Sequence, residues 1–322
     1  MVYVTNLNAA GPGSLAEAVN GPDRIVVFAV SGIIDLAKNG KGGRIEVAYP
    51  NITIAGQTAP GEGICLRGGA LDISASNVIV RHLRARRGFV SEGDMGDALT
   101  VKPDSIGEKT TATGRSDEEF EKIRIKKITL GKTLKAFADI DRIVIDHCST
   151  SWATGENLTV THAGHSTISY SIAAEGLDDA NPKLTPPNHS EGGLWGSAAA
   201  DGRSSMHHVL FAHNRLRNPR TTAGADQPPV LTLYNSVIYN WSEYPTHTGS
   251  ERVFVQWLGN YYAPGPDTPA EGRGLGFQFH GDPGARVFAQ GNIMEGSPAA
   301  TADNRQAVGH KCGQVAARVV SP

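Results

Sequence analysis

The 322-residue chain contains little cysteine, few aromatic residues and no long apolar run. Its three cysteines, Cys65, Cys148 and Cys312, are too few for the disulfide framework that stabilises many small secreted domains. No segment approaches the roughly 20 consecutive apolar residues that span a bilayer, so we expect no membrane partner. The formal net charge of −2 says nothing about partners on its own. We expect no nucleic-acid partner either.

A short pattern, by contrast, recurs eight times: an alternating run of branched aliphatic residues, then a fixed position five residues after its start. The windows are Ile52–Gln57, Val78–Leu83, Ile143–Cys148, Thr167–Ile172, Val209–Asn214, Val230–Asn235, Val255–Asn260 and Val287–Asn292. Several of their spacings suit one coil of a solenoid built from strands and tight turns. We therefore predict an all-β fold, a right-handed parallel β-helix forming a single domain over residues 1–322.

The last four fixed positions are all asparagine, whose amides can hydrogen-bond to one another when coils stack. The pattern thus predicts an asparagine ladder at Asn214, Asn235, Asn260 and Asn292. Cys148 occupies an earlier fixed position, which favours a buried, small apolar side chain there.

Two other features concern the ends and the loops of the predicted solenoid. Ser14 and Glu17 form a capping box, which predicts a short helix within residues 12–19 that covers the N-terminal end of the stack. Residues 102–139 form a charged segment that interrupts the repeats, and we interpret it as an insertion between coils. Residues 178–193 and 263–276 are predicted to be long loops, and solenoid insertions commonly lie on one functional face.

Two acidic residues occupy the same position in a shared frame. Asp97 precedes Ala-Leu-Thr-Val, and Glu156 precedes Asn-Leu-Thr-Val. In adjacent coils their strands would lie about 4.8 Å apart, where two carboxylates either raise a pKa or require a cation. Oxygen ligands of this kind suit Ca²⁺, and Asp94 is a further candidate ligand. The alternative is that these acids lie on a solvated outer face.

The segment HNRLRNPR, residues 213–220, brings three arginines into one turn: Arg215, Arg217 and Arg220. Guanidinium groups bind carboxylates in bidentate fashion, so this turn is a candidate clamp for a polyanion. The alternative interpretation is a set of solvated surface arginines.

Several motifs, in this order, carry a resemblance that spans nearly the whole chain. They are VTNLNAAGPGSLAEAV, RIVVFAVSGIIDL, NITIAGQTAPGEGICLRG, NVIVRHLRARRG, DAL at 97–99, RIVIDHCSTSW, GLWGS at 193–197, HHVLFAHNRLRNPR, GNYYAPGP and GNIMEG. Through them the chain resembles the pectate lyase family of parallel β-helix polysaccharide lyases.

The resemblance implies cleavage of α-1,4-linked polygalacturonate by calcium-assisted β-elimination. It places the base that abstracts the C5 proton at Arg217, with Arg220 binding a neighbouring substrate carboxylate. Asp97 matches the acid of the family's DA(I/L) strand, and Glu156 lies in the strand that carries further calcium ligands. An arginine base is unusual because its pKa normally exceeds about 12.

The sequence departs from the family pattern at several positions. Gly155 and Thr159 stand where many members have aspartate, and Thr222 stands where a second arginine is usual. The family's substrate-contacting lysine has no clear counterpart; the candidates for substrate binding are Lys183 and His189, with Glu191 also nearby.

The chain opens on the strand-like segment VYVTNLN, without a signal peptide. From the resemblance we nevertheless expect a secreted monomer whose signal has been removed, acting on polygalacturonate or pectin. Three alternatives stay open: a lyase for methylated pectin or another uronate polymer, a galacturonan hydrolase, and a non-catalytic β-helix protein that binds polysaccharide.

Overall fold

The computed structural model describes residues 1–37, 42–91, 95–103, 140–180, 189–197, 202–223, 229–249, 253–279, 285–310 and 318–319. Its strands form three parallel sheets, and every strand pairs with the equivalent strand of the next coil. The predicted parallel β-helix is therefore confirmed. No helix among these residues is both long and apolar enough to cross a membrane.

Sheet 1 has eleven strands within the described residues. They are β1 (Val2–Val4), β2 (Arg24–Phe28), β5 (Ile52–Ala55), β8 (Val78–Arg81), β11 (Ile143–Asp146), β14 (Ser166–Ser169), β17 (Arg203–His207), β20 (Val230–Tyr234), β23 (Phe254–Leu258), β26 (Arg286–Gln290) and β29 (Arg318–Val319). The alternating aliphatic runs of the sequence lie mainly here, because one side of each strand faces the interior of the solenoid.

Sheet 2 follows sheet 1 in most coils after a short turn. Its strands are β3 (Gly32–Asp35), β6 (Ile64–Arg67), β9 (Leu83–Arg86), β12 (Ser149–Ser151), β15 (Ile172–Ala174), β18 (Leu210–Ala212), β21 (Val237–Tyr239), β24 (Tyr261–Ala263) and β27 (Ile293–Met294). Sheet 3 follows sheet 2 and completes the coil. Its strands are β4 (Gly43–Val47), β7 (Gly69–Ile73), β10 (Leu99–Val101), β13 (Glu156–Val160), β16 (Glu191–Ser197), β19 (Arg220–Ala223), β22 (Thr246–Thr248), β25 (Phe277–Phe279) and β28 (Val308–His310).

The hydrophobic core runs along the axis enclosed by the three sheets. One column of sheet 1 illustrates it, because the paired residues of successive coils are all buried: Ile54, Val80, Ile145, Ile168, Met206, Leu233 and Trp257. Such stacking buries each coil against its neighbours and needs no second core. Cys148 is buried as predicted, and burial raises the pKa of its thiol to about 11.

The predicted N-terminal helix is present as α1 (Leu15–Ala18), shorter than residues 12–19. Ser14 Oγ accepts a hydrogen bond from the backbone N–H of Glu17 at 3.2 Å, as in a capping box. Leu15 and Val19 are fully buried in the core cluster. The helix therefore covers the first coils of the stack.

The remaining helical elements among the described residues are short. They are α2 (Pro298–Ala302) and the 3₁₀ helices Gly56–Thr58, Ala270–Gly272 and Asn304–Ala307. Residues 104–139, most of the predicted insertion, lie outside the described residues. β8 pairs directly with β11, so the coils on either side of this segment are neighbours in sheet 1.

The predicted asparagine ladder is only partly right. Asn260 and Asn292 stack at the turn between sheets 1 and 2, where Asn260 Nδ2 donates to Asn292 Oδ1 at 2.9 Å. Asn235, by contrast, is exposed with a φ of 50°, and Ser236 takes the ladder position. Asn214 lies at the turn leading to sheet 3, where its amide accepts a hydrogen bond from Asn157 at 2.9 Å.

Some predicted ladder positions are displaced by one residue, because the turn contains a residue with a positive φ immediately before the true ladder position. Tyr170 is such a residue, so the ladder member of its coil is Ser171 and not Ile172. The same shift of one residue separates Asn235 from Ser236. A pattern of fixed length cannot detect it, because the alternating run begins one residue earlier or later.

Candidate active site

Three acidic residues stack where successive strands of sheet 3 begin. Leu99 pairs with Leu158, and extending this register by two residues places Asp97 opposite Glu156. The backbone N–H of Glu156 donates to Asp97 Oδ1 at 3.0 Å. On the other side, Glu156 pairs with Glu191, the first residue of β16. The three acids therefore form one column over adjacent coils, which we call the acidic column.

Burial determines the electrostatics of the acidic column. The side chains of Glu156 and Glu191 are 12% and 4% exposed. Burial, followed by the charge of Glu156, raises the pKa of Asp97 to about 7 and that of Glu191 to about 9. Burial alone would raise the pKa of Glu156 too, but the charge of Arg217, together with the contacts of Glu156 with Glu191, His189 and Asp97, outweighs burial and lowers that pKa. The column therefore has too little positive charge nearby to ionise all three carboxyls.

Arg217 supplies the positive charge that the column does have. Its Nη1 pairs with a carboxylate oxygen of Glu156 and lies 2.5 Å from Glu191 Oε2. Its Nε is buried and has no hydrogen-bond partner among the described residues. The residue has a φ of 60°, which only a turn of defined geometry imposes on a non-glycine residue.

A buried amide network supports the turn that carries Arg217. Asn157 donates to Asn214 Oδ1 at 2.9 Å, and Asn214 donates to Asn218 Oδ1 at 3.0 Å. All three amides are essentially inaccessible to solvent. Because buried amides are costly unless they are paired, this network specifies the backbone around Arg217.

The other candidate residues are distributed as follows. Arg220 is the first residue of β19, paired with Leu194 of β16, three residues beyond Arg217. His189 Nε2 lies 3.4 Å from Glu191 Oε1, and burial lowers the pKa of His189. The structure thus brings Asp97, Glu156, Arg217 and His189 together at the N-terminal ends of neighbouring strands in the middle of sheet 3. Asp94 and Lys183 lie outside the described residues.

Glu191 is the site residue that the sequence motifs did not assign. The sequence indicates it only as a residue near the position of the missing family lysine. The strand after it reads Gly-Gly-Leu-Trp and lacks the Leu-Thr-Val frame shared by the strands of Asp97 and Glu156. The one sequence feature that could have identified Glu191 is an acidic residue two positions before a buried residue that pairs with the neighbouring strand.

The carboxylates of the column are the donor type that a hard divalent cation such as Ca²⁺ prefers. The raised pKa values of Asp97 and Glu191 indicate a site that lacks positive charge. Within the described part of the chain, however, no group of three or more His, Cys, Asp or Glu residues is arranged as a metal site. The donor chemistry therefore fits a cation, while Arg217 holds the cationic position in this arrangement.

The chain is similar to several known proteins of one name. No family model matches the chain. The chain is 33% identical over 273 residues to a protein of Neosartorya fischeri named "Probable pectate lyase C", covering 83% of this chain and 50% of that protein. It is also 33% identical over 285 residues to the protein of that name from Aspergillus terreus, covering 86% and 53% of the two chains.

The chain therefore spans about half the length of the curated relatives it matches. A solved structure of a thermostable pectate lyase is 14% identical with a TM-score of 0.39, covering 91% of this chain and 78% of that chain. The resemblance drawn from the sequence motifs is confirmed, and the chain belongs to the pectate lyase family of parallel β-helix proteins.

Proposed function

We propose that this chain is a pectate lyase that cleaves α-1,4-linked polygalacturonate by β-elimination. The observation that carries the proposal is the position of Arg217. Its guanidinium contacts the acidic column where neighbouring strands of sheet 3 begin. A hydrolase would need one carboxyl as acid and another as base, flanking the scissile bond. The arginine at the column favours elimination instead.

In the proposed reaction Arg217 removes the proton from C5 of a galacturonate residue. The electron pair of that C–H bond forms a C4–C5 double bond, the C4–O bond breaks, and the leaving oxygen takes up a proton. A base needs a free lone pair to accept a proton, and in this arrangement the Arg217 guanidinium contacts both Glu156 and Glu191. Release of Arg217 from Glu156 is therefore the condition for proton transfer.

Calcium is part of the proposal, because the substrate is a polyanion and the column is acidic. Asp97 and Glu156 would hold the ion, and Asp94 is a third candidate ligand. When bound, the ion would acidify the C5 proton by stabilising the negative charge that develops next to the substrate carboxylate. Glu156 then has two alternative partners, Arg217 and the metal ion.

Substrate binding is assigned to the cationic residues around the column. Arg220 would bind the carboxylate of a neighbouring sugar, because an arginine fork matches a carboxylate. His189 and Lys183 are the remaining candidates for substrate contact. We also propose a secreted enzyme that acts as a monomer on polygalacturonate or pectin.

Ultraviolet absorbance of polygalacturonate incubated with the protein tests the proposal directly. Absorbance that rises with calcium and stops on addition of a chelator is the expected result, since elimination creates a conjugated double bond. New reducing ends without absorbance would indicate a hydrolase. Polymer binding with neither signal would indicate a binding protein, and activity only on methylated pectin would indicate the other lyase class.

A further inference from the structure

Glu191 contacts Arg217 from β16. This strand lies between β13, which carries Glu156, and β19, which follows the turn of Arg217. β16 pairs with β13 on one side and with β19 on the other. The Glu191 side chain is 4% exposed, and its Oε2 lies 2.5 Å from Arg217 Nη1. The same nitrogen pairs with Glu156. One guanidinium nitrogen therefore lies between carboxylates from two neighbouring coils.

The backbone next to Glu191 also contacts the arginine turn. The N–H of Gly193 donates to the carbonyl of Arg217 at 2.6 Å, and the N–H of Gly192 donates to that of Leu216 at 3.0 Å. A Cβ at position 192 would lie 2.7 Å from the Arg217 carbonyl oxygen. Only glycine permits this approach. β16 thus contacts Arg217 at its backbone and at the end of its side chain.

We propose that Glu191 is a positioning residue, which keeps the guanidinium of Arg217 directed at the substrate when Glu156 engages another partner. This inference rests on the proposed function, in which Arg217 is the base. With two carboxyl groups in contact, the arginine can leave Glu156 and stay ordered. With Glu156 alone, the same release would free a long side chain with several rotatable bonds.

A purely structural role predicts different behaviour. If Glu191 only filled space or satisfied the start of β16, its replacement would affect stability equally with or without Arg217. If it holds the guanidinium, its effect on stability depends on Arg217, and its effect on turnover falls on the chemical step. These two consequences are measurable separately.

The first test is a double-mutant cycle with Glu191→Gln, Arg217→Met and the double variant, using the urea midpoint of unfolding. We expect Glu191→Gln to lower the midpoint in the native background, and to leave it unchanged or raise it beside Arg217→Met. In that second background an unpaired buried carboxyl is removed. Equal shifts in both backgrounds would refute the pairing and the proposal with it.

The second test is kinetic, on polygalacturonate. We expect Glu191→Gln to lower kcat by about 100-fold with KM near the native value, because a displacement of about 1 Å has that effect on a reacting group. Glu191→Asp, which keeps the carboxyl group, should recover part of the loss. The matched control is Glu243→Gln, which breaks the ion pair with Arg215 in the same turn. A native kcat in Glu191→Gln would refute positioning.

The two tests also separate this inference from the proposed function. Turnover that survives Arg217→Met would remove Arg217 as base, whereas the stability cycle would still report whether Glu191 holds it. Loss of turnover in Arg217→Met, with a native kcat in Glu191→Gln, would leave the base in place and eliminate the positioning role.

Discussion

Arg217, in the turn before β19, forms an ion pair with Glu156 of β13, although β16 separates β13 from β19 in sheet 3. A long side chain reaches across one coil to make this contact, and Glu191 of the intervening strand joins it. A buried ion pair is costly to desolvate, so its presence at the ends of these strands is not explained by stability. The pair is better explained as part of a site in which Arg217 and Glu156 each also interact with another partner.

Arg217→Ala should abolish turnover while the protein stays folded. A positioned base contributes about 10²–10⁴-fold to a rate, so we expect kcat to fall by at least about 100-fold. The acids left behind are ones whose carboxyls can take up protons, as the raised pKa of Glu191 indicates. Ultraviolet product formation and circular dichroism on the same sample provide the measurement.

The matched control for that variant is Arg203→Ala, an exposed arginine at the start of β17 in sheet 1. We expect native turnover from it. Native turnover from Arg217→Ala would instead remove the arginine from the chemistry and return attention to the carboxyls.

Asp97→Ala should raise the calcium concentration needed for half-maximal activity. Asp97 lies next to Glu156 in the acidic column, so its removal takes away a hard oxygen ligand and part of the local negative charge. Activity would be measured against free calcium set with a chelator. Asp72→Asn, at an acid of β7 paired with Arg44 in the same sheet, is the control. An unchanged calcium requirement would exclude Asp97 from the metal site.

The sequence predicted the part of the site that repeats. Asp97 and Glu156 share a Leu-Thr-Val frame, and the register of β10 with β13 confirms that they are neighbours. The sequence did not reveal Glu191, because Gly-Leu-Trp stands in place of that frame in β16. The first of these residues, Gly193, approaches β13 closely: a Cβ there would lie 2.6 Å from the Leu158 carbonyl oxygen.

The ion pairs of Arg217 with Glu156 and Glu191 could likewise not be predicted from the sequence. The motif placed the arginine in a turn, but its direction depends on a positive φ and on three buried amides, one from β13 and two from the turn itself. These determinants are tertiary. The parallel β-helix was predictable because its period is carried by many coils, so a slip of one residue at Asn235 did not alter the result.

Asn292→Ala should destabilise the protein by more than its surface would suggest. Asn292 is fully buried, accepts from Asn260 and donates to the Trp257 carbonyl at 2.7 Å. Each buried group left without its partner costs about 1–3 kcal/mol, so a loss of that size or more is expected in urea unfolding. Asn235→Gly is the control, because that asparagine is exposed and has a positive φ. Equal losses of unfolding free energy in the two variants would show that the buried asparagine ladder contributes no more stability than an exposed asparagine.

Asp146→Asn should destabilise the protein at neutral pH and much less in acid. Burial alone would raise the pKa of Asp146, but the hydrogen bond from Ser169 at 2.7 Å and the contacts with His147 and Arg81 hold it below its ordinary value of 3.8. A carboxyl with a lowered folded-state pKa contributes stability that is fully present above pH 3.8 and lost as pH falls below it. We expect a loss of about 1.5–3 kcal/mol at pH 7, the range for hydrogen bonds to a charged group.

Urea unfolding of the native protein and the Asp146 variant, measured from neutral pH downward, tests this expectation. Arg81 is 41% exposed, so solvent screens its ion pair with Asp146 and the pair contributes little to stability. The difference in unfolding free energy between the two proteins should therefore depend only weakly on salt. Asp23→Asn is the control, since Asp23 is exposed and accepts a hydrogen bond from Asn51 without a charged partner in that contact. A gap between native protein and Asp146→Asn that stays constant into acid would show that shape, and not the ionised carboxylate, is what Asp146 contributes.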